Sequence, residues 1–106
     1  MAGRKGPAIW ALEALADIDG IWEHYKRVAG EGIAEKITRE IGDVIALIED
    51  HPFAGRSRNE LRAGFRSMAV RPHIVFYRVV NEVPEIMRVL DGRQDIEELF
   101  ADRNQD

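Results

Sequence analysis

From Glu13 onward the apolar residues of this chain change their period once, at Gly55, and that change governs what it can fold into. Before Gly55 they recur every three or four positions. Leu15, Ile18, Trp22 and Tyr25 form one stripe, with Ile21 and Val28 beside it, and Ile33, Ile37, Ile41, Val44, Ile45 and Ile48 form a second. Each stripe is one face of an amphipathic helix. Gly30-Glu31-Gly32 separates the two helices, and Pro52 with Gly55 ends the second. Helices joined by about three residues pack as an antiparallel hairpin.

After Gly55 the helical spacing is gone. Phe65 to Val70, His73 to Val80 and Val83 to Leu90 read as strands rich in Val, Ile, Phe and Tyr, broken only at Arg71-Pro72 and Asn81-Glu82. Connections this short make an antiparallel meander. Pro84 implies an edge or irregular pairing at the start of the last strand. Ile9 to Leu12 suits a short first strand, Gln94 to Phe100 a helical turn or two, and the tail from Asp102 is expected to fray. The expected fold is α+β: a strand, a two-helix antiparallel hairpin, then a three-stranded antiparallel meander, with the helices on one sheet face. One domain spans residues 1–106, with its core at about 8–95. A chain of 106 residues with 45% hydrophobic content buries roughly 60–70% of its unfolded surface.

A sheet with one wet face alternates apolar and polar residues. His73-Ile74-Val75-Phe76-Tyr77 and Val89-Leu90 are instead apolar on both faces, while one helical layer covers only one. The second face either curls shut on itself or receives a partner element.

The net charge of −4 is unevenly spread. Residues 1–52 carry 6 Lys+Arg against 10 Asp+Glu, residues 53–93 carry 8 Arg against 4 acids, and residues 94–106 carry 1 Arg against 5. The central block contains no Lys. Arginine is suited to bidentate pairing with carboxylate or phosphate, so the block reads an anionic partner or pairs with the chain's own acidic segments. Strand alternation places Arg66, Arg78 and Arg88 on the face away from the helices.

Several functions are disfavoured. There is no apolar run near the ~18 residues of a membrane span. The polar, basic segment Met1 to Pro7 has no apolar stretch after it, which argues against a secretory signal. Cysteine is absent, in keeping with a cytoplasmic protein. No His or carboxylate cluster has metal-ligand spacing, and Gly30-Glu31-Gly32 lacks the strand–loop–helix setting of a phosphate loop, so no cofactor is expected. A pI near 5.4 argues against work within RNA and against direct sequence-specific DNA binding. RNA cleavage without metal needs a general base, a general acid and cations. Arg66, Arg78, Arg88 and Arg93 could supply the cations, but no acid–base pair is evident. His24 sits on a helix surface, His51 at a helix end that favours a cation, and His73 starts a strand in a structural role. Tyr77 is mid-strand, in the core or facing a partner.

Five stretches together resemble one family. They are Leu15-Ala16-Asp17-Ile18-Asp19-Gly20-Ile21-Trp22-Glu23-His24-Tyr25; Pro52-Phe53-Ala54-Gly55-Arg56 followed by Glu60-Leu61; Gly64-Phe65-Arg66; Ile74-Val75-Phe76-Tyr77-Arg78-Val79; and Ile86-Met87-Arg88-Val89-Leu90-Asp91-Gly92-Arg93-Gln94-Asp95. In this order they resemble the ParE/RelE superfamily of type II toxins, in its ParE-like branch. The resemblance implies a toxin neutralised by a cognate ParD-like antitoxin, whose disordered segment folds onto the toxin and its sheet, and a non-enzymatic poisoning of DNA gyrase. The alternatives are a RelE-type, ribosome-dependent messenger RNA endonuclease and a non-toxic member that only binds its antitoxin. Partner or target contacts are expected at Arg56, Arg66, His73, Tyr77, Arg78, Arg88 and Arg93. Two positions depart from the family's pattern: Asp91 stands where His is usual, and Gln94 where Arg is, with Arg93 one place earlier.

Overall fold

The computed structural model describes residues 7–103. Strand β1 (Ile9–Trp10) leads into helices α1 (Leu12–Ala29) and α2 (Glu31–Asp50). Then come β2 (Arg56–Ser57), β3 (Arg66–Val70), β4 (His73–Val80), β5 (Val83–Asp91) and α3 (Ile96–Arg103). The strands form one sheet in the order β1-β5-β4-β3-β2, with β1 parallel to β5 and the other pairs antiparallel. The α+β order read from the sequence is the one observed. The break between the helices contracts to Gly30 alone, which ends α1 and precedes α2 at φ 96°, a conformation open to glycine at little cost.

The hairpin covers one sheet face. Ala14 of α1 and Ile41, Ile45 and Ile48 of α2 pack on Val75 and Tyr77 of β4 and Ile86 and Val89 of β5. Inward residues of β5 would alternate, yet Ile86 and Val89 both belong to this core. The register explains it: Phe76 pairs with Arg88 but Tyr77 with Ile86, so Met87 is an extra residue, a β-bulge.

The other face is not curled shut on itself; other segments of the chain cover part of it. Leu61 and Phe65, from the connection between β2 and β3, and Phe100 of α3 pack there on Phe76 and Leu90. Phe100 meets the rings of Phe65 and Phe76 edge-on, at centroid distances of 5.5 and 5.2 Å. The core therefore reaches Phe100, beyond the boundary expected at 95. The tail expected to fray from Asp102 is helical through Arg103, and the remaining residues expected to fray lie outside the described residues.

Candidate functional site

The segment Pro52–Arg56 is held by two side chains that sequence reading had offered to a partner. The Tyr77 hydroxyl donates to the Pro52 carbonyl (2.8 Å) and accepts from the Gly55 amide (2.9 Å). Arg66, opposite Tyr77 on β3, donates to the carbonyls of Phe53 (3.1 Å) and Gly55 (2.9 Å) and lies over the Phe53 ring at 5.2 Å. Tyr77 is 0% exposed and belongs to the core. Burial raises its hydroxyl above the ordinary value of 10.0, against the opposing effects of the Gly55 amide and of Arg66. Cross-strand neighbours share a face, so Arg66 is on the helix side and not on the outer one.

Arg88 corrects the alternation argument in a second way. Beyond Ile86, β5 has lost β1 as a neighbour, and α1 takes its place. Asp17 accepts from Arg88 Nε (2.8 Å), from the Arg88 terminal guanidinium nitrogen (2.9 Å) and from the Val89 amide (2.9 Å). The register sets Arg88 opposite Phe76, on the face away from the hairpin, and the open edge of β5 lets its guanidinium meet the carboxylate that α1 supplies. The Asp17 hydrogen bonds raise the guanidinium's pKa further. Arg78 stays where the alternation predicts: it is exposed and paired with Glu85 across the β4–β5 ladder at 2.8 Å. Arg56 is exposed on β2, the edge of the sheet.

The titratable groups gather at one corner. A cleft of about 440 Å³ lies between α1 and the C-terminal end of β5. His24 and Tyr25 line it from the helix, His73 from the start of β4, and Arg88, Asp91 and Arg93 from β5 and just beyond. Tyr25 stands edge-on to His24 (5.0 Å between centroids) and to His73 (6.0 Å). His73 is only 4% exposed. Burial lowers its pKa from 6.5, with Asp91 opposing and Arg93 adding to the shift. Arg93 grips Asp91 through two side-chain bonds, at 2.9 and 2.6 Å, and its own amide donates to Asp91 at 2.8 Å. Those bonds hold the carboxyl well below the ordinary carboxylate range.

Of the seven expected contact residues, the fold brings His73, Arg88 and Arg93 together in this cleft. It takes Tyr77 and Arg66 into the scaffold and leaves Arg56 and Arg78 outside. Tyr25 was missed because its position on the first helical stripe marks it as core. The pairing of Asp91 with Arg93 was missed as well, although two opposite charges flanking a single glycine were a legible sign. A base effective near neutral pH needs a pKa near 7, and Asp91 is far below it. The cleft is better equipped to bind than to move protons.

Residues 8–96 match the sequence model of the family described as the ParE toxin of the type II toxin–antitoxin system parDE. This chain belongs to the ParE toxin family. Among curated relatives, Toxin ParE1 of Caulobacter vibrioides is 43% identical over 77 residues, 73% of this chain and 79% of that one. Toxin ParE3 of the same organism is 32% identical, covering 86% of this chain and 91% of that one. Toxin ParE1 of Mycobacterium tuberculosis is 33% identical, covering 79% and 87%. Among solved structures, one titled as a chromosomal ParDE toxin–antitoxin system from P. aeruginosa superposes with a TM-score of 0.71 over 80% of this chain and 94% of that one. At 24% identity that likeness speaks for the fold. No helix among the described residues is long and apolar enough to cross a membrane.

Proposed function

We propose that this ParE-family chain acts in the cytoplasm by binding and poisoning DNA gyrase, that a cognate ParD-like antitoxin neutralises it, and that it is not a nuclease. One observation supports binding over RNA cleavage. The four arginines that the sequence offered as cations for a phosphate are each engaged within the chain: Arg66 by two carbonyls, Arg78 by Glu85, Arg88 by Asp17 and Arg93 by Asp91. A nuclease keeps such cations free for the charge that develops at phosphorus. Binding a large protein needs only a complementary surface. The names of the relatives, each a ParE toxin, and the ParDE pairing in the structural neighbour's title agree with this reading.

The purified chain, added to a gyrase supercoiling and cleavage-complex assay, is expected to abolish supercoiling or stabilise cleaved DNA, and the product of the adjacent gene is expected to co-purify with it and reverse the effect. Codon-dependent cleavage of messenger RNA on ribosomes, with gyrase unaffected, overturns this in favour of a RelE-type nuclease. Inactivity in both assays leaves the non-toxic, antitoxin-binding member.

A further inference from the structure

We infer that a groove at the β3–β4 turn is a docking site for an extended acidic peptide segment, one that sets an apolar side chain next to a carboxylate. The inference rests on the antitoxin reading and assigns where that partner's acidic segment lands. The groove holds about 610 Å³. Its floor is apolar, from Ala69, Pro72, Ile74 and Gly92, and its rim carries Arg71 and Arg93. Among the described residues no carboxylate lines it, in a chain whose acids outnumber its Lys and Arg by 19 to 15. Arg93 is held by Asp91. Arg71 is exposed and has no ion-pair partner among the described residues. The walls are preformed, because the Gly92 amide donates to the Pro72 carbonyl at 2.7 Å and ties the end of β5 to the turn.

An unpaired guanidinium above an apolar floor selects a ligand with the matching pair of groups. A carboxylate takes Arg71 through two parallel hydrogen bonds, and the neighbouring apolar side chain lies on Ile74 and Pro72. The groove also has an exit. Arg93 and His73 line both it and the cleft beside α1, so an extended chain passing over Gly92 runs from one cavity into the other. A nucleic acid fits less well: the chain is net negative, and two cations over an apolar floor give a phosphate backbone little to follow.

The test is an NMR titration of the whole ¹⁵N-labelled chain, with a synthetic peptide alternating acidic residues and leucine and, separately, with a single-stranded oligonucleotide. The peptide is expected to shift the amides of residues 69, 70, 71, 73, 74, 92 and 93. Arg71→Glu should weaken its binding at least tenfold, and Arg71→Lys should restore part of it. Arg39→Glu, an exposed change on α2, should alter it less than twofold. If charge reversal disturbs the turn, Arg71→Gln carries the same comparison. Peptide shifts elsewhere, or undiminished binding by the Arg71 variants, overturn the site. Shifts at these amides with the oligonucleotide alone overturn it in favour of phosphate. The antitoxin supplies a separate arm. If it binds wild type and R71E equally, the groove fails and the antitoxin reading stands. If it binds neither while the peptide binds the groove, the antitoxin reading fails and the groove stands.

Discussion

Gly55 and Tyr77 show how one close approach limits the choice of residue at two positions. A β-carbon on Gly55 would fall on the Tyr77 hydroxyl and within 2.8 Å and 2.9 Å of Cε1 and Cζ of its ring, which is itself packed under the helices. Gly55→Ala should therefore cost about 1–3 kcal/mol by overpacking, read from the urea midpoint. Tyr77→Phe keeps the ring but strands the Gly55 amide and the Pro52 carbonyl, and should cost about 1–3 kcal/mol. If Tyr77→Phe is neutral, the hydroxyl does not hold the turn. His73 carries a pH dependence. Its folded pKa lies below 6.5, with Tyr25, Asp91 and Arg93 facing it. Between the folded and unfolded values the unfolded chain binds more protons. The contribution of neutral His73 is thus complete above 6.5 and is lost as pH falls through the window beneath. Wild type should lose more stability than His73→Gln between about pH 7.5 and about pH 5.5, and parallel losses would exclude His73 as the cause.

At the scale of elements, the joint between α1 and β5 is held by a carboxylate at a sheet edge. The Ala11 amide takes the Ile86 carbonyl at 2.9 Å, and Asp17 then takes the Val89 amide and the Arg88 guanidinium. Asp17→Asn is nearly isosteric but turns an amide group toward donors. It should cost about 1–3 kcal/mol. With Arg88→Met already in place, the cost of Asp17→Asn should shrink, giving a coupling energy of about 1–2 kcal/mol in a double-mutant cycle. Strict additivity would mean that the pair is an exposed contact of little worth. The proposed action on gyrase offers a second readout: a folded Asp17→Asn chain that keeps its stability but loses that action would move Asp17 from scaffold to target surface.

At the scale of the molecule, α3 completes a second core that the hairpin cannot reach. Phe100→Ala should cost about 3 kcal/mol, the low end for a buried Phe because α3 lies at the surface and its site can partly collapse. Binding of a hydrophobic dye should rise as Phe76 and Leu90 become wet. An unchanged melting temperature and no added dye binding would show that α3 is dispensable to the core. The sequence by itself determined the two helices, the three long strands and their antiparallel order, because those follow from periodicity and short connections. His73 to Val80 begins and ends where its composition says it does. What covers the second sheet face was beyond it, because Leu61, Phe65 and Phe100 lie outside the long strands, and no periodicity shows that they fold back over Phe76 and Leu90. The arginines were beyond it for the same reason. The extra residue Met87, which local composition does not signal, brings Ile86 and Val89 to one core, and the alternation of Arg66 does not by itself say which sheet face the helices cover. Whether a guanidinium faces solvent or a partner also depends on where carboxylates fall in space. Asp17 meets Arg88 across most of the chain, and only the tertiary fold brings that carboxylate to the open edge of β5, so only the fold decided which cations remain for another molecule.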